Sequence, residues 1–103
     1  MSNVQADFTF SRFKDAPISV MDATQYFDVM REAWHVHLDR EAIRHGLWKK
    51  HPAVDQMRQV KIKTERVLNT LENNPEDSVL ILPEIPDIIN YSIFGHRIIQ
   101  GNI

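Results

Sequence analysis

The stretch PEIPDIINYSIFGHRII, residues 83–99, decides the fold. Ile85, Ile88, Ile89, Ser92, Ile93, His96 and Ile99 recur at helical spacing, and Phe94 and Ile98 widen the apolar surface until little of it is left for water. A helix of this kind is buried in its own domain or lies between subunits. It also carries groups that an apolar rod normally excludes. Glu84 and Asp87, three residues apart, project from one face, and Asn90 and Tyr91 continue that face by another turn. Two readings stand side by side. The carboxylates either decorate a first turn, where negative charge favours the positive end of the helix dipole, or they belong to a site. Pro83 and Pro86 bracket the start, where missing N–H groups cost nothing, although Pro86 disfavours helical geometry at Ile85.

Working outward, 103 residues make one domain at most. A 43% hydrophobic and 25% charged composition is ordinary for a globular chain, and three glycines are too few for a loop-rich or all-β design. A formal charge of −2 gives no general attraction to a nucleic-acid polymer, which needs a surplus of Lys and Arg facing phosphate. The absence of cysteine excludes disulfides and thiolate zinc sites and fits a reducing compartment. No leader pattern opens the chain, and no apolar run approaches the ~20 residues that cross a bilayer. The expectation is a cytoplasmic protein.

Residues 1–21 read as an arm in which Phe8, Phe10 and Phe13 stand among polar residues and Pro17 interrupts any helix. Those rings either cover the domain's own core or embrace a partner subunit. Asp22 followed by Gln25 has the form of a capping box, so a helix starts there. Tyr26, Phe27, Met30, Ala33, Trp34, His37, Leu38 and Ala42 give it an amphipathic stripe ending near Gly46, a natural left-handed stop. His35 and His37 point about 200° apart on such a helix, whereas a chelating pair needs a spacing of three or four. His37 is expected on the core side and His35 in solvent.

Residues 45–51 form a connector anchored by Trp48, a ring that either plugs the end of the bundle or faces a planar ligand. From Ala53 a second helix places Val54, Met57, Val60, Thr64, Val67, Leu68 and Leu71 on one face. Asn73, Asn74 and Pro75 stop it. Arg58, Lys61, Lys63 and Arg66 cluster elsewhere on this helix, either as a solvated face or as the kind of group that holds polyphosphate. Residues 76–82 then carry a polar turn into VLIL, a short apolar run of strand-like or connecting character.

The run from Leu47 to Ile99 resembles the nucleotide-modification-associated domain found in phages and bacteria, a relative of the MazG-like all-α nucleoside triphosphate pyrophosphohydrolases. The residues that carry the resemblance are Trp48, then Asp55, Lys61, Lys63 and Arg66, then Glu84, Asp87, Asn90 and Tyr91. It implies a compact helical fold, usually oligomeric, in which acids from two helices hold Mg²⁺ against a nucleotide's phosphates. Carried onto this chain, Glu84 and Asp87 would ligate Mg²⁺, while Lys61, Lys63 and Arg66 would hold phosphates of a nucleotide or modified nucleotide. Asn90 or Tyr91 would orient the ligand. Two elements of the pattern are missing. The earlier pair of glutamates three apart is broken, since Glu65 is followed by Leu68, and RHGLW stands where relatives carry an Asp-Tyr-Gly element.

These readings predict an all-α bundle of three main helices over 22–45, 53–72 and 83–100, preceded by the aromatic arm. They predict completion by a homodimer or higher homo-oligomer. Function divides between a nucleotide-binding relative of the pyrophosphohydrolases, with hydrolysis impaired, and a non-catalytic interaction or scaffold module on the same fold.

Overall fold

A computed structural model describes residues 23–101 of the chain. The described residues form three α-helices and two 3-10 segments, with no strand: α1 (Ala23–Arg44), η1 (Leu47–Lys50), α2 (Ala53–Asn73), η2 (Pro75–Ile81) and α3 (Glu84–Gln100). The all-α expectation holds, and each helix lies within two residues of its predicted bounds. The arm over 1–21, with Phe8, Phe10 and Phe13, and the cap at Asp22 lie outside the described residues. No helix among the described residues is long and apolar enough to cross a membrane.

The boundaries follow from local chemistry. His45 (φ 48°) and Gly46 (φ 73°) both take the left-handed conformation after α1, and the His45 N–H donates to the Glu41 carbonyl at 3.0 Å. That double turn sends the chain into η1. At the far end of α2 the Asn74 N–H closes on the Thr70 carbonyl at 2.8 Å before Pro75 forbids continuation. The run read as strand-like or connecting is a connector, most of it the 3-10 segment η2. A short apolar run is ambiguous between the two, and η2 buries little of its own surface, packing chiefly along α2. Helix α3 begins at Glu84, so Pro86 falls in the first turn, where its ring is accommodated and fully buried. Gly101 (φ 73°) ends it.

Helix α3 is the shared partner: α1 and α2 both pack on it and scarcely touch each other. The arrangement is therefore an open layer of helices rather than a closed bundle. The consequence is visible in burial. Ala33 and Pro86 are the apolar side chains fully buried among the described residues, and the remaining buried side chains are polar: Gln56, Asp87 and Asn90. On α2 the single broad apolar face expected from the sequence splits in two. Ala53, Gln56, Val60, Lys63, Val67 and Thr70 are buried or half-buried, whereas Val54, Met57, Leu68 and Leu71 stay exposed. Tyr26, Met30, Trp34 and Leu38 of α1 are exposed as well. Where α2 crosses α3 the backbones come close at Gly95, which is buried. A Cβ built there would lie 3.1 Å from the Met57 sulfur.

Candidate functional site

The first turn of α3 presents Glu84 and Asp87 on one face, as their spacing requires, and that face meets α2 on one side and α1 on the other. Lys63, from the inner stripe of α2, reaches between the two acids. Its ammonium donates to Glu84 Oε2 and to Asp87 Oδ2, each at 3.1 Å. Arg66, one turn on, donates to Glu84 Oε1 at 2.6 Å. Arg40 of α1 forms an ion pair with Asp87, its Nη1 2.7 Å from Oδ1. All four carboxylate oxygens thus lie within ion-pair distance of a cation. The side chains of Asp87, Lys63 and Glu84 are only 12%, 16% and 18% exposed, so solvent screens this chain of pairs weakly.

The electrostatics match the geometry. Burial works against the charge on Lys63, but its hydrogen bonds to Asp87 and then Glu84 outweigh that cost and hold its pKa above the usual lysine value. The Arg66 guanidinium, opposed by burial and helped by Lys63, holds the Glu84 carboxyl below the usual glutamate range. Three cations against two acids leave one formal positive charge on the group.

Beside this network lies a cleft of about 110 Å³ between α1, η1 and α3, bordered by Arg40, Arg44 and the acid Glu41 and by the rings of Trp48, Tyr91 and Phe94. Its aromatic wall is ordered by direct ring contacts. Trp48 stacks on Phe94 with centroids 4.5 Å apart and planes 12° from parallel, and Tyr91 meets Phe94 edge-on at 6.1 Å. His37 lies against Phe94 at 5.2 Å, on the core side as expected, while His35 is exposed. A shallower groove of about 350 Å³ shares Trp48 and Phe94 and adds Trp34, Lys49 and Ile93. Gln56 secures η1 by donating from Nε2 to the Trp48 carbonyl at 2.9 Å.

Lys63, Arg66, Glu84 and Asp87 come together as one group, and Tyr91 lies at its edge, its ring centroid 6.0 Å from the Lys63 ammonium. Trp48 faces the neighbouring cleft. Asn90 is committed elsewhere, since its amide donates to the Ala33 carbonyl at 2.9 Å and pins α3 to α1. Lys61 stands apart in solvent, 3.9 Å from Glu65. Sequence reasoning missed Arg40. Its position was the available signal: Ala33, His37 and Arg40 share the buried stripe of α1, and a cation on such a stripe requires an anion opposite.

The Mg²⁺ expectation fits these residues poorly. Magnesium needs carboxylate oxygens free to complete an octahedral shell, and here Lys63 occupies the bridging position between the two acids. Among the described residues no group of three His, Asp or Glu could hold a metal ion. Comparison of the chain with family models, with characterised proteins and with solved structures finds no match.

Proposed function

We propose that this chain binds a phosphate-bearing, ring-containing ligand of the nucleotide class in the cleft beside Arg40, without a resident metal and without hydrolysing it. The carrying observation is that Arg40, the cleft-side member of a network with one surplus positive charge, and Arg44 line a cleft with an aromatic wall and a single acid, Glu41, so phosphate and ring each meet suitable chemistry. The cleft alone, at about 110 Å³, takes a phosphate group; the groove of about 350 Å³ across the Trp48–Phe94 stack offers room for the ring. Ring stacking on an exposed face of Trp34 or Trp48 would add to binding by roughly 1–3 kcal/mol per base. Hydrolysis is set aside because the acids that would hold the catalytic ion are consumed by Lys63, Arg66 and Arg40. Cytoplasmic residence accords with a chain lacking cysteine.

The second reading, an interaction or scaffold module, is favoured by the apolar surface that α1 and α2 leave open. One panel of experiments separates the two. Melting temperature and calorimetric binding are measured with ribo- and deoxyribonucleoside triphosphates, in EDTA and then in Mg²⁺, alongside an assay for released pyrophosphate. The ligand reading expects stabilisation in EDTA that Trp48→Ala or Arg44→Ala weakens, with no pyrophosphate. Absence of any nucleotide-dependent shift would leave the scaffold reading standing. Pyrophosphate release that needs Mg²⁺ and is lost in Asp87→Asn would restore the hydrolytic one.

A further inference from the structure

We propose that the exposed stripe of α2 is the seam of a homodimer, in which the α2 helix of a second copy lies antiparallel against it. This goes beyond the ligand reading and does not rest on it. Val54, Met57, Lys61, Thr64, Leu68 and Leu71 follow one another at alternating spacings of three and four, the pattern of a coiled-coil seam. The four apolar members are 54%, 45%, 52% and 50% exposed in that order, although all lie on an ordered helix. The stripe runs about 26 Å along the axis at 1.5 Å per residue. It borders the stripe that packs on α3, which contains Gln56, Val60, Lys63, Val67 and Thr70, and Met57 at the border also touches α3 at Gly95 while staying nearly half exposed.

The pattern names its own occupant. In an antiparallel pairing about the middle of the stripe, Val54 faces the second copy's Leu71, Met57 faces Leu68, and Lys61 faces Thr64, so apolar layers close both ends around a polar centre. A polar pair at the centre penalises shifted registers, the usual effect of a lysine within such a seam. The flank away from α3 then carries Arg58 of each copy beside Glu65 of the other, twice by symmetry. Within one chain these two residues lie seven positions apart, about 10.5 Å along the helix, and do not meet. Their present partners, Asp55 at 3.3 Å and Lys61 at 3.9 Å, are exposed neighbours on the same helix and hold them weakly. Self-complementary charge flanking a self-complementary apolar stripe fits a second copy of this chain better than an unrelated partner.

The test is sedimentation of the full chain at low ionic strength, with helix content followed by circular dichroism. The wild-type chain is expected to sediment at twice its 12.1 kDa. Leu68→Glu, which puts a charge into an apolar layer on both copies, is expected to weaken dimerisation by about 100-fold or more. Arg58→Glu and Glu65→Arg are each expected to weaken it by roughly tenfold, and the double variant to recover to about the wild-type value. Recovery has no source within one chain, because the two positions do not touch there. If Leu68→Glu loses its helices, the charge exchange decides alone. A monomer at ~100 µM, above the Kd of ordinary specific dimers, would overturn the proposal. A dimer unaffected by Leu68→Glu would overturn it too, as would a double variant no better than the single ones.

Discussion

Lys63 is the residue on which the site turns, because it is shared between two acids that each have a second cation. Removing different members of the group should therefore cost different amounts. Asp87→Ala leaves Arg40 without its carboxylate and half of the Lys63 bridge undone in a poorly solvated place, and should destabilise by about 2–3 kcal/mol. Lys63→Met leaves Glu84 with Arg66 and Asp87 with Arg40 while refilling the volume, and should cost less, about 1 kcal/mol. Urea unfolding of both variants at neutral pH measures the difference, and an equal or reversed order would show that Lys63 does not bridge. The acid limb of stability has a sign as well. Because the folded Glu84 carboxyl is held below its ordinary value, the stability it contributes is present above the unfolded pKa and is lost as pH falls through the folded one. A pH titration of the unfolding free energy should fall on the acid side of the glutamate range, and Glu84→Gln should flatten that fall.

At the scale of elements, the contact between α2 and α3 is set by Gly95, and it carries its own prediction. A methyl group at Gly95 would approach the Met57 sulfur to 3.1 Å, closer than comfortable packing, but the opposing atom belongs to a flexible, half-exposed thioether that can give way. The helix-propensity gain of alanine over glycine, about 1 kcal/mol, should then prevail, so Gly95→Ala is expected to stabilise by about 0.5–1 kcal/mol in thermal or urea unfolding. Gly95→Leu, too large for Met57 to clear, should destabilise. The helices themselves were legible in the sequence because their limits are chemical: Gly46, Pro75 and the prolines at the start of α3 act locally. What was not legible depended on neighbours. Val54, Met57, Val60, Val67, Leu68 and Leu71 fit one broad helical face, and only the placement of α3 divides them into a packed stripe and an open one. The site was half legible for the same reason. The spacing of Glu84 and Asp87 put both on one face, yet it could not say that Lys63 and Arg66, read as phosphate ligands, would meet those acids instead. Arg40 became a member only through the crossing of α1 over α3.

At the scale of the whole molecule, burial argues for assembly. Among the described residues the apolar side chains buried outright are Ala33 and Pro86, and larger ones such as Ile88, Ile89 and Phe94 are covered only in part, so these helices set less hydrophobic free energy against the entropy of ordering than a closed core would. Polar buried groups do not supply the difference. The network of Lys63, Glu84 and Asp87 fixes how α1, α2 and α3 meet, and Asn90 and Gln56 do the same for α1 and η1, but the net stability from such contacts is small once desolvation is counted. The missing apolar burial lies on surfaces that point outward: Tyr26, Met30 and Trp34 on α1, Leu68 and Leu71 on α2, Val79 and Leu80 on η2. If folding and association are one process, the unfolding midpoint must depend on protein concentration. Each tenfold dilution removes about 1.4 kcal/mol from a dimer's stability. For two copies of this chain that corresponds to a fall in Tm of about 3–6 °C. Thermal scans over two decades of concentration measure it directly. A midpoint that stays fixed would mean that the protomer is stable alone, and the exposed stripes would then have to be accounted for by surface chemistry rather than by an incomplete core.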